Sequence, residues 1–328
     1  MECFVTLRPW GCLLVVVLSG CGGGGGNAAD AVAGPAITVQ ESQCMAAGWQ
    51  RLLIDAAGLQ RAVLWKAPSS AWSRGALVVM HGGGGQHANY CVANSSTIAA
   101  QVRLTDLALA QGFAVFLPDS SDRVTDTEGR LCGKVWDDEV RGRANLDLPF
   151  LEHLITVSMP ALRPVGSRAE VFLAGHSSGG YMAVRAATKL ADRVKAFAPV
   201  ASGDPYGWFR DCTPRATDRV NVFGAGFDNE TRRQIIEPGA CSAAAYPQER
   251  AWDGATLAAR PAWRAFHHEE DGINDVSCVD KVSAQLRSRG YPETPALRLT
   301  GGARSADAHV WQDSYNQPLL DFFSAQLR

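Results

Sequence analysis

Residues 171–184 read VFLAGHSSGGYMAV, an apolar run that ends in Gly175-His176-Ser177-Ser178-Gly179 and continues into a helix-like pattern. A serine with glycine two places before it and two places after it has the spacing of a nucleophile on a sharp strand-to-helix turn. Such a turn crowds the flanking positions, which favours glycine. It also lifts the apex side chain above the carboxyl ends of a sheet, where α/β proteins bind ligands. Ser177 is that apex. The helix behind it presents partial positive charge, and the Ser178 backbone N–H can face an oxyanion. These residues suit attack on a carbonyl and stabilisation of the oxygen that becomes charged.

A serine hydroxyl needs a base, and the base needs an orienting acid. With this turn the expected chain order is Ser, acid, His. His309 fits the last place, after the strand-like ALRLT (296–300) and the loop GGARSADA. His176 adjoins Ser177 and is expected to point away, His153 falls in a helix, and His81 and His87 precede the elbow. The acid should follow WRAF (263–266), where the sequence runs HHEEDGIND. Asp271 is the choice, with Asp275, Glu269 and Glu270 as alternatives. Adjacent strand residues point to opposite faces, so HHEED is a poor metal cage, and neither metal nor cofactor is expected. The other half of an oxyanion hole is expected in His81-Gly82-Gly83-Gly84-Gly85-Gln86, with Gly83 or Gly84 as the donor. This loop lacks the Lys-Ser/Thr ending of a phosphate-binding loop.

The elements that must position these residues are legible as an alternation. Apolar runs of buried-strand length occur at 76–80, 113–117, 171–174, 194–200 and 263–266. Segments of helical periodicity occur at 98–111, 145–157, 181–190 and 276–289. Continuous apolar strands alternating with amphipathic helices predict an α/β fold, a mostly parallel central sheet with helices on both faces. Residues 49–54 and 60–67 read as an antiparallel pair at its edge. Residues 204–260 break the rhythm and read as an insertion, a lid over the carboxyl edge before the acid-bearing strand.

The N-terminus reads as an export signal. Arg8 precedes the apolar run GCLLVVVL, too short for the roughly 20 residues that span a bilayer but suited to a signal peptide. Leu18-Ser19-Gly20-Cys21 then resembles a bacterial lipobox, which makes residues 1–20 a signal and Cys21 the lipidated mature N-terminus. Residues 21–36 become a glycine-rich tether and 37–328 the folded domain. The expected location is a membrane facing the periplasm or cell exterior, or the medium. Of nine cysteines, Cys44, Cys91, Cys132, Cys212, Cys241 and Cys278 remain for disulfides, with 15 pairings open. A net charge of -2 without a basic run gives no footprint for nucleic acid.

Together, His81-Gly82 with its following glycines and Gln86, the elbow 175–180, the Asp271 loop and His309-Val310-Trp311 resemble the α/β-hydrolase superfamily. More narrowly, they resemble secreted esterases of the poly(3-hydroxybutyrate) depolymerase and feruloyl esterase group. The chain departs from that group at His267-His268, where His-Gly is usual, and over 204–260. The resemblance implies a carboxylic ester hydrolase acting through Ser177, His309 and Asp271 on a small or polymeric ester. Trp136, Trp208 and Trp311 are candidates for apolar walls or for core packing. A serine peptidase of the same fold and a non-catalytic binding lipoprotein are the alternatives.

Overall fold

The structure is a computed structural model that describes residues 34–328, apart from 94–98, 126–128, 130, 141–142, 207–224, 229–232, 237–250, 257 and 328. The expected signal peptide, Cys21 and most of the tether lie outside the described residues, as do Trp208, Cys212, Cys241 and most of the insertion.

The strands are β1 (Gln50–Ala56), β2 (Leu59–Lys66), β3 (Ala76–Met80), β4 (Ala114–Pro118), β5 (Val171–His176), β6 (Ala196–Val200), β7 (Ala225–Asp228), β8 (Arg233–Ile236), β9 (Ala262–Trp263), β10 (Phe266–His268) and β11 (Leu297–Leu299). The helices are α1 (Val39–Ala46), α2 (Ala99–Ala110), α3 (Leu148–His153), α4 (Met159–Leu162), α5 (Ser178–Lys189), α6 (Val276–Ser288) and α7 (Asn316–Ala325). Nine of these strands make one sheet in the order β1-β2-β4-β3-β5-β6-β10-β11, with β9 also on β6. From β4 through β11 the pairing is parallel, while β1–β2 and β2–β4 are antiparallel. The expected edge pair and parallel centre are therefore both present.

The central strands are apolar on both faces because both are covered. Along β3, Val78 and Met80 join a core with Phe150 and Leu151 of α3, Met182 and Val184 of α5, and Val282 of α6. Leu77 and Val79 face the opposite core with Leu104 of α2 and Leu320 and Phe323 of α7. The expected helix over 145–157 begins at Leu148, passes through a π-helical turn at Leu154–Ser158 and runs on to Leu162. WRAF does not form one strand but divides between β9 and β10.

The described flanks of the insertion pack on α5. Tyr206 stacks on Trp252 with ring centroids 4.4 Å apart, and its hydroxyl lies 2.6 Å from Thr188 Oγ1. Asp253 pairs with Arg185 at 3.1 Å. β7 and β8 form a separate antiparallel pair. Whether the insertion covers Ser177 turns on residues outside those described.

Helix α1 is fixed to the body in two ways. Cys44 is bonded to Cys91, and Cys132 and Cys278 are disulfide-bonded as well. Glu41 lies 3.2 Å from His87 and 3.0 Å from Arg51, and His87 lies 3.1 Å from Asp119. Burial pushes the Glu41 carboxyl up, but hydrogen bonds to His87, the Thr38 N–H and Arg51 outweigh it and hold the group at about 2. The folded value is below the ordinary 4.5, so this stabilisation is fully present above that pH and is lost as pH falls towards 2. His87 runs the other way. Burial opposes its charge, yet the two carboxylates raise its pKa, so its contribution fades as pH rises through that raised value. A Glu41→Gln variant is expected to unfold at lower denaturant than wild type at pH 7. The gap should close between about pH 4.5 and 2 in urea melts over that range.

Candidate active site

The elbow is built from close backbone contact. Ser177 sits between β5 and α5 with φ 51° and ψ -120°, a left-handed conformation that costs a serine roughly 1–3 kcal/mol. The neighbouring backbone holds it there. The Ser177 N–H donates to the Val200 carbonyl at 2.9 Å, and its own carbonyl accepts from Gly180 and Tyr181 at 2.8 and 3.0 Å. A Cβ on Gly175 would overlap the Gly179 carbonyl, and one on Gly179 would overlap the carbonyls of Met80 and His81. The two glycines thus let the elbow sit directly on the start of the 81–86 loop. That loop and the elbow leave adjacent strands, β3 and β5, from which the chain departs in opposite directions across the sheet. This is the switch point where an open sheet forms its crevice.

Of the two candidate loop donors, Gly83 lies beside Ser178, with the two Cβ positions 3.9 Å apart. The Gly84 N–H instead donates to the Lys134 carbonyl at 2.7 Å. With its N–H spent within the protein, Gly84 is the less available of the two, and the geometry favours Gly83.

His309 lies in the 3₁₀ turn Asp307–His309, and its Nδ1 is 2.8 Å from Asp271 Oδ2. The other carboxylate oxygen accepts from the Ile273 and Asn274 N–H groups at 2.7 and 2.9 Å. Burial pushes the Asp271 carboxyl up, but the adjoining His309 imidazole, helped by the Asn274 N–H, leaves it below its ordinary value. The two loops are stitched together at Ser305, which donates to the Glu270 carbonyl at 3.0 Å and accepts from the Gly272 N–H at 2.8 Å. Asp275 does something else. It caps α6 through the Ser277 N–H at 2.9 Å and pairs with Arg304 at 2.8 Å. Glu269 and Glu270 occupy the turn between β10 and Asp271.

Three further residues bear on the site, with roles that their sequence positions do not announce. Asn274 ties the acid loop to the end of β6, donating from Nδ2 to the Ala201 carbonyl at 2.6 Å. His267 donates from Nε2 to the Asn274 carbonyl at 3.0 Å, and burial lowers its pKa to about 4. His176 does not point away into unrelated surroundings. Its ring is 5.0 Å from that of His309 between centroids, and Nε2 lies 2.7 Å from the His309 carbonyl oxygen.

The 134–138 segment braces the site. The Trp136 indole N–H donates to the His81 carbonyl at 2.8 Å, and its backbone N–H donates to Ser178 Oγ at 3.0 Å. Ser178 Oγ donates in turn to Asp138 at 3.0 Å. Trp136 and Trp311 are fully buried, so both are packing residues and not walls of an open groove. Ser178→Ala strands the buried Trp136 N–H. It is expected to lower the unfolding free energy by about 1–3 kcal/mol, read from equilibrium denaturation beside wild type.

The sequence matches no family model and no curated protein. Solved structures do resemble it. An esterase from Pyrobaculum calidifontis is 17% identical with a TM-score of 0.50, over 88% of this chain and 91% of that one. An acylaminoacyl peptidase from Pyrococcus horikoshii is 14% identical with a TM-score of 0.51, over 85% of this chain and 41% of that one. Est1E from Butyrivibrio proteoclasticus is 14% identical with a TM-score of 0.46, over 84% of this chain and 98% of that one. With the strand order and the elbow already described, the likenesses to the Pyrobaculum and Pyrococcus proteins show that the chain has the α/β-hydrolase fold.

Proposed function

We propose that the protein hydrolyses carboxylic esters through a Ser177–His309–Asp271 triad and an acyl-enzyme. One observation carries the reading: a serine strained at the apex of the β5–α5 turn stands next in sequence to His176, which contacts the buried His309–Asp271 pair. With Nδ1–H donated to Asp271, His309 keeps the Nε2 lone pair for the Ser177 proton. Ser177 Oγ attacks the ester carbon as that proton leaves, and the carbonyl oxygen takes the negative charge. The N–H groups of Ser178 and Gly83 hold that charge. Collapse breaks the bond to the alcohol, which departs with the proton from His309. Water then repeats the sequence on the acyl group and frees Ser177. Likeness to the Pyrobaculum esterase supports an ester substrate, and the sequence resemblance supports a polyester or feruloyl type. Likeness to the Pyrococcus peptidase supports the second reading, a peptide substrate for the same triad.

The test is hydrolysis of p-nitrophenyl acetate to octanoate and of N-acyl peptides by exported, oxidised protein. Ser177→Ala is expected to lose activity on the order of a million-fold and Asp271→Asn about ten-thousand-fold, with both variants folded. Folded wild type that leaves every ester intact and cleaves the peptides overturns the esterase reading in favour of the peptidase.

Export and anchoring through Cys21 are part of the same proposal. They rest on LSGC placed directly after the apolar run. Cells fed a fatty-acid probe should label the wild-type chain and not Cys21→Ala. Equal labelling, or a mature N-terminus at another residue, refutes the anchor.

A further inference from the structure

His176 fills the second position of the elbow and is the last residue of β5. Its ring is buried between two backbone units, at His309 and Gly82, and the Trp311 side chain. Nε2 is 2.7 Å from the carbonyl oxygen of His309. Nδ1 lies against the first glycine of the oxyanion loop, where a Cβ on Gly82 would come within 2.7 Å of it. The Trp311 ring stands edge-on at 6.3 Å. A ring nitrogen can bond a carbonyl only as a donor, so Nε2 carries the proton and Nδ1 does not. Burial, reinforced by the nearby His309, lowers the His176 pKa to about 3, so the ring stays neutral with that tautomer at ordinary pH.

The bond reaches the main chain of His309, while Asp271 reaches its side chain. These constraints are complementary. The carboxylate fixes how the imidazole is turned, and the bond from β5 fixes how far its backbone stands from the elbow. Ser305 stitches the two loops to each other and Asn274 ties the acid loop to the end of β6, while the His176 bond ties the His309 main chain to β5 itself. We propose that His176 is a positioning residue that locks the main chain of His309 to the nucleophile strand and so sets the reach of its imidazole to Ser177. This rests on the esterase reading. Displacements of about 1 Å at a reacting pair cost up to a hundredfold in rate.

The experiment compares wild type, His176→Leu and His176→Gln in the full-length exported protein. It follows the rate of Ser177 phosphonylation by a fluorophosphonate and the kcat and KM for p-nitrophenyl butyrate. Leucine keeps bulk without a donor, and glutamine restores one. The leucine variant is expected to lose about 10–100-fold in kcat and in phosphonylation with KM within about twofold, and glutamine should recover most of the loss. A folded leucine variant with wild-type kcat overturns the proposal. If leucine prevents folding, the glutamine variant decides: a near-wild-type kcat supports the donor role, and a folded glutamine variant slowed a hundredfold overturns it. Wild type inert to both fluorophosphonate and ester is a different outcome, because it removes the serine-hydrolase reading itself.

Discussion

The site depends on one backbone conformation, the left-handed turn at Ser177. A serine does not take φ 51° unaided, so the surroundings must impose it. They do so by contact too close for a side chain: Gly175 against Gly179, and Gly179 against the Met80 and His81 carbonyls. The same contact seats the elbow on the glycine loop, so the geometry that sets Ser177 at the apex also brings up the loop proposed as the second half of the oxyanion cradle. Elbow and glycine loop are one packing solution. Around them the sheet supplies rigidity, since β3 and β5 are buried on both faces and cannot shift independently.

Charge is handled with similar economy. His176 and His267 flank the His309–Asp271 pair, and burial keeps both rings neutral. Each spends its Nε2–H on a main-chain carbonyl, of His309 and Asn274 respectively. Both rings are thereby fixed in place by main-chain bonds. The carboxylate at the centre is held below its ordinary pKa because its burial is offset by the His309 imidazole and by the Asn274 N–H.

The sequence revealed most where local chemistry and periodicity agree. The buried central strands announce themselves by continuous apolar runs, and the elbow by glycines whose spacing has one steric reason. Helix α1 went unread although Thr38 and Glu41 form a capping box around its first turn, a signal available in the sequence. Helix α7 was also missed. Its Leu319-Leu320 and Phe322-Phe323 pairs are short and follow a run of turn residues, so their role emerges only on packing under the sheet. The 134–138 brace has no periodicity, and nothing in its order announces that Trp136 reaches His81 and Ser178. For His176, adjacency to Ser177 suggests only direction. Its value lies in a carbonyl 133 residues away.

The Cys44–Cys91 bond has a mechanical meaning. The described chain enters through α1, which precedes the edge strand β1. An outward pull on the segment ahead of α1 meets a covalent stop at Cys44 before it reaches β1. It is shunted across the bridge to the turn that leads from β3 towards α2. The edge strand is spared peeling, the mode in which a sheet yields most easily, one hydrogen-bonded pair after another.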